Sequence, residues 1–191
     1  ARWSPSGGNL QPWRVHVVLG DARARLIETV KKAIAENPFA DESEIAIYPP
    51  KLGEPWRTRR YELGEAMYRK LEIPREDKPA RIAHLLRNYE FFGAPVGLFF
   101  SINRQFDKGQ WAHLGMFMQS IALVAAERGL SSCMQEAWAA RAKTVSAFLG
   151  LTAEEQLYCG MALGYGDTTE KVNQLRSSRV DVDEFATFMT E

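Results

Sequence analysis

Histidine is scarce in this 191-residue chain. The three present, His16, His84 and His113, show no H-x-x-x-H or H-E-x-x-H spacing. No zinc site is readable, and each is taken as structural. Cysteine is scarcer still. Cys133 and Cys159 lie far apart and form no metal-type pair. A chain of 46% hydrophobic residues needs no disulfide staple, so free thiols in a reducing, cytoplasmic compartment are expected. Neither sign of charge is in excess: 24 basic residues balance 24 acidic ones. That neutrality argues against electrostatic binding of nucleic acid or a membrane surface. No apolar run approaches the roughly 20 residues of a bilayer span. The richest stretch, GQWAHLGMFMQSIALVAAERG at 109–129, is interrupted by His113, Gln119, Glu127 and Arg128, and reads as a helix buried through a domain. A G-x-S-x-G elbow is absent, Cys133 has no adjacent histidine, and GYGDTT holds only two of the three glycines of a dinucleotide fingerprint. There is no internal repeat or low-complexity tract. No signal peptide is visible in the sequence, which starts at Ala1.

The length suits one domain over 1–191 with a substantial core. RVHVVLG alternates and is β-branched, which predicts a strand from about Arg14 to Leu19. Asp21 is expected to cap a helix whose Leu26, Ile27, Val30 and Ile34 recur at helical spacing, with Pro38 as its stop. Residues 39–55 read as an irregular surface crossing. Helices follow over WRTRRYELGEAMYRKLEI and over REDKPARIAHLLRNYEFFGAP, where Pro79 falls in the first turn. APVGLFFSI is the apolar run of a buried central strand. Asp107 and Gln110 have capping-box spacing for the long helix, and Gly129 is placed to close it. LSSCMQEAW reads as a short strand entering a loop. Thr152 and Glu155 suggest a second box between the helix AKTVSAFLG and the strand QLYCGMALGYGD, and the tail ends in a short amphipathic helical turn. Strands and helices mix without βαβ regularity, so the class is α+β.

Three segments remain unexplained by core building. RWSPSGGNLQPW, residues 2–13, has two prolines and two adjacent glycines. It can form neither a long helix nor a central strand, and reads as a shaped loop that either holds a ligand or is a structured arm. RTRR, which includes Arg57, Arg59 and Arg60, is either a solvated helix face or an anion contact. LRSSR, with Arg176 and Arg179, allows the same two readings.

SPSGGNLQPW resembles the N-terminal hallmark of the FMN-dependent nitroreductase family. FFGAPVGLFF, GMFMQSIALVAAERGL, SCMQEAW, CGMALGYGD and NQLRSSR resemble that family's later landmarks, in order, across nearly the whole chain. The nearest branch is that of the nitrobenzoate-type reductases. The resemblance implies a mixed, mainly antiparallel sheet surrounded by helices, an intertwined homodimer, and FMN at the subunit interface. It implies that Pro5, Ser6, Gly7 and Asn9 reach a flavin held mainly by the other subunit. Met134, Gln135, Glu136 and Ala137 would line one edge of the ring, with a backbone N–H near Glu136 on N5. Arg179, with Arg176 as second candidate, would hold the phosphate. NADH or NADPH would be the electron donor and a nitroaromatic, or a quinone, the acceptor, by ping-pong hydride transfer. No side chain is implied as catalytic acid or base, and no metal. The alternatives are another flavin chemistry on the same fold, such as dehalogenation or dehydrogenation, and a non-catalytic FMN-binding protein. The resemblance also implies an arginine-x-serine element upstream of this motif that grips the phosphate; apart from Arg2-Trp3-Ser4, which directly abuts PSGGN, none precedes it in this sequence, which leaves a start further upstream or a looser hold on FMN.

Overall fold

The computed structural model describes residues 1–41 and 44–190. In chain order the elements are β1 (Trp13–Leu19), α1 (Gly20–Glu36), α2 (Trp56–Lys70), α3 (Lys78–Leu86), β2 (Val96–Asn103), α4 (Lys108–Glu127), β3 (Ser131–Gln135), α5 (Ala142–Leu149), β4 (Glu155–Gly164) and α6 (Val182–Phe185). Short 3-10 turns span Gly7–Asn9, Arg87–Gly93, Glu136–Arg141 and Lys171–Gln174. The chain divides into two compact units, 1–50 with 82–166, and 51–81 with 167–191.

The first unit is built on one sheet of order β1-β2-β4-β3. All three pairings are antiparallel, in keeping with the α+β, mainly antiparallel expectation. β2 is buried along its length because it lies inside the sheet with both faces covered. On one face, Phe99 joins Leu26 and Val30 of α1, Phe91, Trp138 and Val145 of α5. On the other, Leu98, Phe100 and Ile102 meet Met161 and the α4 residues Leu114, Phe117 and Met118.

A bulge in β4 makes both faces fit. Phe100 faces Cys159 while Ser101 faces Leu157, so Tyr158 is the extra residue. Without it Leu157 and Cys159 would share a face. With it Leu157 joins the α1 side, Cys159 joins the α4 side, and Tyr158 packs against the α4 cluster.

Two glycines let rings lie directly on the sheet. A Cβ at Gly97 would sit 2.3 Å from the Phe91 ring, and one at Gly160 would sit 2.4 Å from Trp138. Phe91 and Phe92 both have left-handed backbone, with φ of 55° and 50°. Such strain persists only where the surroundings enforce it, and Phe91 is wholly buried against Phe99 and Trp138. This turn breaks the third predicted helix at Leu86.

Other boundaries shift for local reasons. Asp21 lies inside the first turn of α1, where it favours the helix dipole, and Leu19 is the cap. At Thr152 and Glu155 there is a tight turn into β4. The Glu155 carboxylate accepts from the Thr152 amide at 3.2 Å and from its hydroxyl at 3.3 Å, but no helix follows. The Asp107–Gln110 capping box is present, and Gly129 has the left-handed φ of 73° that ends α4.

In the second unit, α2 carries the basic run. Arg57 pairs with Glu54 at 2.6 Å and Arg59 with Glu184 at 3.4 Å. Arg81 grips Glu65 at 2.8 and 3.4 Å and lies over the Tyr68 ring at 4.1 Å. Lys171 pairs with Glu72.

Candidate functional site

Two of the predicted segments converge on α4. The entry arm lies along it at three points. The Ser4 hydroxyl meets that of Ser120 at 2.7 Å, the Gly7 amide donates to His113 Nε2 at 3.3 Å, and Trp13 stacks on Phe117 at 4.6 Å with 3° between the planes. His113, Phe117 and Ser120 share one helix face. The arm folds on itself between these points: the Gln11 amide donates to Ser6 Oγ at 3.0 Å, and Gly8 takes a left-handed φ of 58°. Gly7, Gly8 and Asn9 remain exposed. Nothing lies within 4 Å of where a Gly8 Cβ would be, so a flat molecule can approach this backbone closely. Asn9 is exposed, and its backbone carbonyl accepts from Gln11 Nε2 at 3.2 Å.

The second segment is the end of β3, which also packs on α4. Met134 is exposed there, but Gln135 is buried. Its Nε2 donates to the Asn88 carbonyl at 2.8 Å, and its Oε1 accepts from Trp138 Nε1 at 3.2 Å. What Gln135 can present to a ligand is therefore backbone. Ala137 is tied by its carbonyl, which accepts from the Tyr89 hydroxyl at 3.1 Å. Glu136 accepts from the Tyr158 hydroxyl at 3.1 Å. Burial, reinforced by the Glu136 charge, pushes the Tyr158 phenol up to about 12 and the Cys159 thiol likewise up to about 12. Tyr158 thus stays a neutral donor that orients the carboxylate.

Beside it is a cleft of about 470 Å³ lined by Trp111, Gly115, Gln156 and Tyr158, with Glu44, Ile45 and Ala46 at its edge. The 3-10 turn that carries Glu136 and Ala137 is anchored at its far end by buried Arg141. That guanidinium donates to the Asn37 carbonyl at 3.0 Å and pairs with Asp41 at 3.5 Å. Sequence reasoning missed Tyr158, Arg141 and His113. A bulge, a buried ion pair and a helix-face contact have no local signature.

Arg176 and Arg179 belong to the second unit. Both are exposed and turned onto nearby backbone: Arg179 donates to Ser177 Oγ at 2.6 Å and to the Ser178 carbonyl at 2.9 Å, Arg176 to the Asn173 carbonyl at 3.3 Å. These weak neutral partners leave each charge uncompensated, as an anion site requires. Among the described residues no cluster of His, Cys, Asp and Glu could hold a metal ion, and no helix is long and apolar enough to cross a membrane.

The chain is 38% identical over 190 residues to the 4-nitrobenzoate reductase of Pseudomonas putida, covering 99% of this chain and 82% of that protein. It is 35% identical over 195 residues to the nitrobenzene nitroreductase of Ectopseudomonas oleovorans, covering 100% and 84%. Among solved structures, the FMN and NADPH-dependent nitroreductase NfnB from sphigopyxis sp. strain HMH is 42% identical with a TM-score of 0.95, covering 100% of this chain and 85% of that one. NfnB from Mycobacterium smegmatis, solved in complex with NADPH, is 29% identical with a TM-score of 0.92, covering 98% and 83%. The nitroreductase family model itself matches residues 1–165, from the entry arm to the end of the sheet, and the chain belongs to the nitroreductase family.

Proposed function

We propose that this protein is an FMN-dependent oxidoreductase that uses NAD(P)H to reduce nitroaromatic compounds. The observation that carries this reading is the bare Gly7–Asn9 backbone, held in a fixed shape and left open, on the same helix as the β3 end. The residues fit FMN: a flat ring needs a thin neighbour, and a phosphate needs uncompensated arginines. The 38% identical relative named 4-nitrobenzoate reductase and the NfnB structures named as FMN and NADPH-dependent support the same assignment.

When bound, FMN supplies the two-electron carrier between the nicotinamide donor and the acceptor. In this reading Pro5, Ser6, Gly7 and Asn9 border the ring, Asn9 donating and accepting through its amide. Met134, Gln135, Glu136 and Ala137 would line one edge of the ring, with the backbone N–H near Glu136 as a donor to its N5. The Tyr89 and Gln135 bonds hold that backbone still, which sets the electrostatics without reorganisation. Arg179, assisted by Arg176, binds the phosphate. One open site serves donor and acceptor in turn, so the kinetics are ping-pong, and quinones are accepted where they match a nitroaromatic in flatness. The protein works as a homodimer in which the arm of one copy completes the site of the other, and it acts in the cytoplasm.

The test is anaerobic titration of protein reconstituted with FMN. NADH or NADPH bleaches the yellow colour, and 4-nitrobenzoate restores it. Protein that binds FMN but never bleaches would be a binding module, and protein that ignores FMN would refute the assignment.

A further inference from the structure

We propose that His113 is a positioning residue for the entry arm, acting as the acceptor that fixes the Gly7 peptide. The inference rests on the reading above only for its consequence, the hold on FMN. The latch itself stands on contacts within the first unit.

Among the arm's contacts with α4, this is the one made by the glycine stretch itself. Gly7 N–H points at His113 Nε2 at 3.3 Å, and a Cβ on residue 7 would lie 3.2 Å from His113 Cε1. The backbone rests on the imidazole edge at a separation that glycine permits. Because Nε2 accepts, the ring proton resides on Nδ1. Nδ1 is buried and has no partner. An unpaired buried donor is a cost that an apolar ring of the same size would avoid. For packing alone histidine is thus the poorer choice, and the acceptor facing Gly7 is what it adds.

The flanking contacts, Ser4 on Ser120 and Trp13 on Phe117, hold the two ends of the arm. Between them the Ser6–Gly7 peptide is closed into a turn, its Ser6 and Gly7 carbonyls accepting from the Asn9 and Leu10 amides at 3.0 and 3.2 Å, and His113 ties it to α4. That peptide enters the left-handed Gly8 and then Asn9, whose φ is 56°. Its orientation decides where the amide of Asn9 points.

Two variants separate the acceptor from the ring. His113→Phe keeps the bulk and removes the acceptor; His113→Gln returns an acceptor near Nε2. Hydrogen exchange at the Gly7 amide is measured on the protein without FMN, and the FMN Kd by fluorescence quenching. In His113→Phe the Gly7 amide exchanges faster by about 3- to 10-fold, the range of one neutral hydrogen bond, and FMN binding weakens by a similar factor. His113→Gln restores both. Unchanged exchange in His113→Phe, or a glutamine variant as impaired as the phenylalanine one, overturns the latch. A loosened arm in His113→Phe, rescued by glutamine, with one FMN Kd across all three proteins supports the latch and refutes contact between arm and FMN.

Discussion

At the scale of single residues, several polar side chains serve the frame around the candidate site. Gln135 is the clearest, since its amide joins Asn88 to the indole of Trp138 inside the core. A buried amide with all its partners is worth keeping, because removing it strands two others. Glu44, at the rim of the cleft beside Trp111, pairs with Arg104, whose Nη2 lies 2.8 Å away. The Arg104 hydrogen bond holds the Glu44 carboxyl below its usual value of 4.5, and burial works against it. A carboxyl lowered on folding stabilises the native state above its unfolded value and loses that contribution as pH falls through the folded one. Both side chains are nearly half exposed, so screening limits the gain to about 1 kcal/mol or less. Unfolding free energies of wild type and Glu44→Gln from urea titrations should therefore differ by that amount at pH 7 and converge as the pH falls below the folded value of the Glu44 carboxyl. A difference that persists in acid would mean that Glu44 stabilises by packing.

Among elements, α4 has the most depends on it: it closes one face of the sheet, flanks β3 and docks the arm. Its start is secured by the Asp107–Gln110 box, in which the Asp107 amide donates to Gln110 Oε1 at 3.3 Å. Replacing Asp107 with alanine should cost about 0.5–2 kcal/mol, and with asparagine a few tenths, in denaturant unfolding. Equal losses would show that the charge, through the dipole, outweighs the cap. This box was legible because its two members are three residues apart, and the β1 and β2 strands were legible from alternation and from an apolar run. The Thr152–Glu155 pair has the same spacing but opens a strand, since the pattern after it has period two. Likewise, the turn at Phe91 and Phe92 could not be foreseen. Its left-handed backbone is stabilised where Phe91 packs on Phe99 of the following strand and on Trp138, which is remote in sequence.

For the molecule as a whole, the proposed homodimer is the property to test. Trp3, Leu10, Met116 and Leu123 of the first unit are more than two-fifths exposed, as are Phe185, Phe188 and Met189 of the second. Side chains of this size and exposure are available for the proposed homodimer to cover. Light scattering of the 191-residue chain should give about twice 21.6 kDa at micromolar concentration, since obligate interfaces bury 2,000 Å² or more; a stable monomer would refute the intertwined dimer. The α+β class, most element positions, the family resemblance and the glycine arm were determined by the sequence alone, because period, capping and turn chemistry act between near neighbours. Tertiary structure alone decided that a bulge turns Tyr158 toward Glu136, that Gln135 faces inward, and that His113 meets Gly7. Each of these depends on groups brought together by packing across the sheet and α4, and such encounters leave no trace in local spacing.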